Sequence, residues 1–228
     1  MGERKRVGIG ITTRNRRDKA LQAIESIKKF SPDSFKIVVV DDQSDIPFPN
    51  SDFRFEERAG VAKAKNKCFE LLEDCTDIFL FDDDTFPINK NWYKPYLDNK
   101  YKHLQYIFEK FKKVDTKYNR IERVYSDLDV NAYSSGRGCM LYFREEAIQP
   151  FDESLPKYGF EHTEISRRIA SELGYSYPFM DVKDSSRLIH SMDEQGQIRS
   201  TFSIKEKLES KKFSFLDIKK KNINFVKH

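Results

Sequence analysis

Short apolar runs and longer amphipathic stripes alternate along the first third of this chain. Residues 7–13 (VGIGITT), 35–40 (FKIVVV) and 78–81 (IFLF) are apolar runs closed by polar residues, the pattern of buried strands. For the last of them periodicity alone leaves a buried helix open. Between the first two runs, Ala20, Leu21, Ile24 and Ile27 recur at three-to-four spacing and predict a helix. The run Ser31-Pro32-Asp33-Ser34 breaks it. Strand, helix and strand in that order make a βαβ unit and imply a parallel sheet. A loop over 46–52 and a short strand over 53–56 follow. Gly60 then opens a second helix, GVAKAKNKCFELLE, whose apolar face is Val61, Ala64, Cys68, Leu71 and Leu72.

The pattern changes at Pro87. Trp92, Tyr96, Tyr101, Leu104, Ile107, Phe108 and Phe111 lie at helical spacing within residues 89–114. They predict a segment that is helical in parts, its aromatics in the core rather than stacked on a ligand. Residues 124–133 predict a strand, 134–138 (SSGRG) a flexible turn, and 139–143 another strand. Ile165, Ile169 and Leu173, four apart, predict a helix after residue 160. Residues 175–180 and 186–189 read as short strands, and 191–197 (SMDEQGQ) has the composition of a mobile loop.

Composition adds limits. A chain of 228 residues is enough for one large domain, and 19 Phe with 11 Tyr supply a core despite 34% charged residues. The net charge of +4 is uneven, because residues 203–228 hold eight Lys against Glu206, Glu209 and Asp217. No apolar run approaches the roughly 20 residues that span a bilayer. The basic start, Met1 to Arg6, precedes an apolar run too short for a signal peptide. Cys68, Cys75 and Cys139 are odd in number and lack metal-ligand spacing, which suits core thiols. These features predict a cytoplasmic, reduced protein with no transmembrane segment.

The candidate chemistry sits where strands end. Ligands of open parallel sheets bind outside the carboxyl ends of the strands. Thr12, Thr13 and Arg14 close the first run, Asp41 and Asp42 the second, and Asp82-Asp83-Asp84 the third. Continued strand geometry would send Asp82 and Asp84 to one side and Asp83 to the other. Three adjacent carboxylates repel, so protons or a cation must relieve them. Mg²⁺ or Mn²⁺, each taking one or two carboxylates plus phosphate oxygens, meets that need. A solvated acidic turn is the plainer alternative. Lys63, Lys65 and Asn66 lie near the N-terminal half of the second helix, where the dipole favours anions; two solvated lysines are again the plainer reading. Glu161, His162 and Glu164 sit at the start of a later helix, where capping is ordinary. His190 precedes the polar loop.

As an ordered set, these segments resemble the family-2-like glycosyltransferases of the GT-A fold. ITTRNR is similar to that family's opening segment, VVVDDQS to its second-strand acidic motif, and FLFDDDT to its metal-binding DxD strand. GVAKAKN resembles its G-x-A-x-A-R-N helix start, with Lys65 at the Arg position. SGRGCMLYFRE and FDESLPKYGFEHTEISRRI resemble its later segments, with His162 where Asp is usual. The match runs from about residue 7 to 173.

The resemblance implies a mixed, mainly parallel, Rossmann-like sheet flanked by helices. It also implies a GT-A domain over 1–202, divided into a nucleotide-binding half of about 1–86 and an acceptor-side half of 87–202, then a basic extension over 203–228. The activity would be metal-dependent transfer of a hexose or pentose from a nucleotide sugar, expected to be a UDP-sugar, to an acceptor hydroxyl. Thr12, Thr13, Arg14, Asp42, Gly60 and Asp83 would lie near the nucleotide. Asp41 would contact the base, and Lys65 the base or phosphates. Asp82 would meet the ribose or a metal-bound water, Asp84 the Mn²⁺ or Mg²⁺ itself, and His190 could complete the coordination. The base would be Glu161, His162 or Glu164, with Glu161 favoured. On these roles Asp84, Asp41 and His190 must share one cleft. The acceptor, whether glycan, lipid carrier, protein or modified nucleic acid, stays open.

Two other functions fit parts of the chain. The Lys-rich end could bind nucleic acid, or hold the protein on an anionic surface. An apolar strand ending in D-x-D also occurs in phosphohydrolases, though there it would normally begin its domain.

Overall fold

The computed structural model describes residues 5–107, 121–136, 138–193, Ser203, Lys205, Leu208 and Glu209. Phe108, Phe111, most of the 191–197 loop and nearly all of the basic extension lie outside the described residues.

Six strands form the main sheet: β1 (Val7–Thr13), β2 (Lys36–Asp41), β3 (Phe53–Arg54), β4 (Asp77–Asp82), β6 (His103–Tyr106) and β9 (Met140–Arg144). Their spatial order is β3-β2-β1-β4-β9-β6. The first four run parallel, while β9 is antiparallel to both β4 and β6. A mixed, mainly parallel sheet is thus present, and it draws strands from both sides of Pro87. Three strands, β7 (Arg123–Ser126), β8 (Val130–Tyr133) and β10 (Met180–Val182), make a second small sheet. β5 (Thr85–Pro87) pairs with β11 (Ile189–Ser191).

Alternation along β4 shows how the sheet is covered. Phe79 and Phe81 enter one apolar cluster with Ile9, Ile11, Trp92, Tyr96 and Tyr142, on the side of helix α1 (Arg17–Phe30). Ile78 and Leu80 enter the other, with Cys68, Leu72, Ile165 and Ile169. That second cluster includes helices α2 (Val61–Leu71) and α4 (Glu161–Glu172). Residues two apart on a strand share a face, so one six-residue strand nails both layers together. Helix α2 can lie close on β1 because Gly10 has no side chain: a Cβ there would come within 2.7 Å of Cys68 Cβ and of Leu80 Cδ2.

Several expectations change. Leu21 is exposed and Ala23 takes its place in the core, so the stripe of α1 is rotated from the predicted one. Within residues 89–107 the structure has a four-residue helix, α3 (Lys94–Leu97), and then strand β6 carrying Leu104. Trp92 and Tyr96 are buried in the core. The predicted strand over 124–133 is two strands, and residues 185–187 form a single 3-10 turn ahead of β11. All three cysteines are free and buried. No helix among the described residues is long and apolar enough to cross a membrane.

Candidate active site at the strand ends

The strand order turns back on itself between β1 and β4, which is where open α/β sheets leave a crevice. Register brings the polar ends together there, with Thr12 paired to Asp82 and Thr13 to Asp41. A cleft of about 230 Å³ lies over these ends. Its walls are Thr12, Thr13, Arg14, Arg16, Asp42, Arg58, Val61, Ala64, Asp82, Asp83, Asp84, Cys139, Tyr158, Glu161 and Asp193.

The acidic trio does not alternate as an extended strand would. β4 ends at Asp82, and the chain turns through Asp83 and Asp84. Asp82 accepts from Lys65 Nζ at 2.8 Å. Asp83 and Asp84 instead share one guanidinium: Arg16 Nη1 donates to Asp84 Oδ2 at 2.7 Å and to Asp83 Oδ1 at 3.1 Å. Thr13 Oγ1 donates to Asp83 Oδ2 at 2.7 Å, and Thr85 Oγ1 to Asp84 Oδ1 at 3.2 Å. These pairings divide the trio electrostatically. Burial pushes Asp83 up to about 6 against the pull of Arg16 and Thr13. Burial, then repulsion from Asp82 and Asp83, pushes Asp84 up to about 7. Burial opposes ionisation of Asp82 as well, but the Lys65 ammonium outweighs it and holds Asp82 below the ordinary carboxylate range.

Lys65 is fully buried, not a solvated lysine, whereas Lys63 is exposed. Burial works against its charge, yet Asp82 and Glu161 raise its pKa, so it stays an ammonium. It therefore donates to His162 Nε2 as well as to Asp82. His162 must then carry its proton on Nδ1, 2.7 Å from the Gly138 carbonyl. Burial and the Lys65 charge both lower its pKa and keep the ring neutral. The Asn66 amide joins the second helix to the later segment, donating to the Phe151 carbonyl at 3.0 Å and accepting from Phe151 N–H at 2.7 Å.

The three candidate bases separate on these contacts. Glu164 is clamped by Arg168, with Nε at 2.8 Å and Nη2 at 3.1 Å. The lone pair on His162 Nε2 is taken by Lys65. Glu161 lines the cleft, and its Oε2 is buried with no hydrogen-bond partner among the described residues.

Four residues expected at the nucleotide or the ion are not among the wall residues: Gly60 and the fully buried Lys65, which act through Asp42 and Asp82, and Asp41 and His190. Asp41 is fully buried and accepts from Ser44 N–H at 2.8 Å and Phe48 N–H at 3.0 Å. It braces the loop after β2, and its neighbour Asp42 forms the wall. Asp42 accepts from Ala59 N–H at 2.7 Å and Gly60 N–H at 3.1 Å, and so ties down the entry to α2. His190 pairs across to Phe86 on β5, its ring 5.2 Å from the Phe86 ring, and is not among the wall residues. The strand it belongs to delivers Asp193 instead, through the Met192 N–H bond of 2.9 Å to the Asp84 carbonyl. Asp84 thus shares its cleft with Asp42 and Asp193, not with Asp41 and His190. Arg16, Arg58, Tyr158 and Asp193 are wall residues that sequence reasoning passed over. For Arg16 a signal existed, since it stands two residues after Arg14 in the same polar turn.

Carboxylate oxygens at the tip suit a hard divalent cation. Among the described residues no group of three or more His, Cys, Asp or Glu side chains could hold a metal alone. Such an ion would take at most one or two of these carboxylates, and its other ligands would have to come from a bound phosphate.

Comparison with known proteins supplies the family. No protein-family profile matches the chain. It is 30% identical over 192 residues to an uncharacterised glycosyltransferase, R363, of Acanthamoeba polyphaga mimivirus, with 72% of each chain covered. Three solved structures share its fold at 15–16% identity. They are the mannosyltransferase PcManGT of Pyrobaculum calidifontis with GDP-Man and Mn²⁺ (TM-score 0.53, covering 74% of this chain and 53% of that one), GalNAc-T7 with UDP, GalNAc and Mn²⁺ (0.59, 79% and 43%), and residues 1–349 of S. aureus TarS with UDP-GlcNAc (0.54, 73% and 53%). The chain spans about half the length of these structures. Matched at 30% identity over more than two thirds of its length by a protein named as a glycosyltransferase, and folded like three further members, the chain belongs to the glycosyltransferases of the GT-A fold.

Proposed function

We propose that the protein transfers a sugar from a nucleotide sugar to an acceptor hydroxyl, using a divalent ion at the acidic tip and Glu161 as base. The observation that carries this is the meeting in one cleft of two kinds of carboxylate. One is a crowded, cation-seeking cluster at the switch point of the sheet. The other is a single buried carboxylate oxygen with no described partner. The related structures hold GDP-mannose, UDP with GalNAc, or UDP-GlcNAc, two of them with Mn²⁺, which supports a nucleotide-sugar donor and favours a UDP-sugar.

Asp84, with Asp193 beside it, would hold the ion. When bound, such an ion neutralises charge on the diphosphate leaving group. The chain's own residues do the rest. Lys65 keeps Asp82 ionised and fixed for the ribose or an ordered water. Thr13 orients Asp83. Arg14 lines the donor side of the cleft together with Thr12 and Asp42, and Gly60 keeps that wall in place through its bond to Asp42. Glu161 takes the proton of the acceptor hydroxyl. His162, tied to Lys65 and Gly138, sets the direction of the helix start from which Glu161 projects.

The test is a thermal-shift panel of nucleotide sugars with and without Mn²⁺, followed by hydrolysis assays. At least one donor should stabilise the chain more with Mn²⁺ than without, and Asp84→Asn should abolish the difference. If no nucleotide sugar binds or is hydrolysed, and Asp84→Ala changes nothing, the function is wrong.

A further inference from the structure

Arg16 reaches the centre of the acidic tip and has no part in the scheme above. It is the residue immediately before α1, its backbone at φ −133° and ψ 43°, and its side chain is only 16% exposed. One nitrogen, Nη1, serves both Asp84 Oδ2 and Asp83 Oδ1. Its Nε is buried without a hydrogen-bond partner among the described residues. A guanidinium carries five donors in a fixed fork and matches two-oxygen anions best when the whole fork is engaged. Among the described residues the fork is used through one nitrogen, in the place an oxygen-seeking cation would take. The two carboxylates differ in what they keep if Arg16 moves. Asp83 retains Thr13 on its other oxygen at 2.7 Å, while Asp84 retains the longer Thr85 contact of 3.2 Å. The vacated Asp84 Oδ2 is thus the oxygen most in need of a replacement cation.

Resting on the metal reading above, we propose that Arg16 is the resident cation of the tip and exchanges with the divalent ion. It shares its single positive charge between Asp83 and Asp84 when no ion is bound. It leaves Asp84 Oδ2 as the ion enters, pivots on Asp83, and presents its fork to the donor's diphosphate. Ion and guanidinium compete for one oxygen, so the ion binds weakly to the chain alone. A diphosphate gives the guanidinium another anion, so donor and ion favour each other's binding, and by linkage the coupling is reciprocal.

The experiment titrates the full chain with Mn²⁺, reading free Mn²⁺ by electron paramagnetic resonance, with and without UDP. Without UDP, Arg16→Gln should bind Mn²⁺ more tightly than the wild type, by roughly 5- to 150-fold, the usual span of coupling between two sites. The tightening that UDP produces in the wild type should shrink in the variant. If Arg16→Gln does not fold by circular dichroism, Arg16→Lys is read in its place, with a smaller tightening expected. Unchanged or weaker Mn²⁺ binding in whichever variant folds overturns the exchange. Failure of both variants to fold overturns it too, because Arg16 would then be a fixed buttress. These results are separable from failure of the parent function: Mn²⁺ bound by the wild type with UDP, but no tightening in the variant, removes the exchange alone. No Mn²⁺ bound by either chain, with or without UDP, removes both.

Discussion

At the scale of single residues, the site depends on which carboxylates are already engaged. Glu161 and Glu164 are three apart on one helix start, yet only Glu164 has a fork of Arg168 closed on it. A carboxylate without such a clamp loses less when it takes a proton from an acceptor. Glu161→Gln should therefore lower kcat by about 10²–10⁴-fold, the usual worth of a positioned base, and leave donor affinity unchanged. Glu164→Gln should cost stability instead of turnover. Steady-state kinetics with donor binding measured separately checks both; a small kcat loss at Glu161 would move the base elsewhere. Lys65 makes a different point. Its fully buried ammonium holds Asp82 and the His162 ring together. Lys65→Met leaves Asp82 without its charge partner. Breaking a buried pair costs about 3–5 kcal/mol. With Asp82 still partly exposed to water, a loss nearer 2 kcal/mol in urea unfolding is expected.

At the scale of elements, close packing of α2 on β1 is what aims Lys65 at the strand ends. Gly10 permits it, since a Cβ there would overlap the Leu80 Cδ2 methyl and also Cys68 Cβ, which is fixed one bond from the backbone of α2. Gly10→Ala should destabilise by about 1–3 kcal/mol, as overpacking does. It should also weaken donor binding, because a displaced α2 carries Lys65 and the Gly60 contact to Asp42 with it. Full stability in the variant, measured by denaturant unfolding, would show that the helix has room to give. How far such elements could be read from the sequence follows from what sets them. β1 matches its expected bounds, and the opposite facing of Phe79 and Ile78 follows from strand periodicity. The region after Pro87 was harder: Trp92 and Tyr96, four apart, suit a helix, but Leu104 belongs to a strand fixed by pairing with β9. Asp41 and Asp42 could not be separated, because strand parity near an end depends on where the last ladder bond falls. His190 and Asp193 could not be separated either. The register of β11 on β5 is a long-range choice that leaves His190 against Phe86 and carries the chain on to Asp193. The Lys-rich extension lies outside the described residues, so any affinity for nucleic acid or an anionic surface stays an expectation.

At the scale of the whole molecule, the acidic tip links folding, pH and ion binding. Burial and mutual repulsion lift Asp83 and Asp84 from the ordinary 3.8 to about 6 and about 7. Between roughly pH 4 and 7 the folded chain therefore holds protons that the unfolded chain has released. At these two groups the native state binds more protons, so their contribution to stability falls as pH rises through that window, while the buried His103 and His162 rings, held neutral in the fold, contribute the opposite slope below about pH 6.5. Asp82 has the opposite sign: its pKa is depressed, so its contribution is lost only as pH falls below the ordinary carboxylate value. A divalent ion needs the deprotonated oxygens. It competes with protons at pH 5.5 and meets ionised carboxylates at pH 8. Stabilisation by a ligand follows its concentration relative to its dissociation constant, so the Mn²⁺-induced rise in Tm should be small at pH 5.5 and larger at pH 8. In EDTA, the buried His103 and His162 rings make stability rise with pH while the two carboxylates make it fall, so the carboxylates are read from the difference between chains. Asp84→Asn should gain Tm relative to the wild type as pH rises from 5.5 to 8, at about 2–4 °C per kcal/mol for a chain of this size, and should lose most of the Mn²⁺ response, since the amide neither titrates nor binds a hard cation well. Melting curves at five or six pH values, with EDTA or with Mn²⁺, decide the matter. A Mn²⁺ shift of the same size at pH 5.5 and pH 8 would mean that the ion binds somewhere other than these two carboxylates.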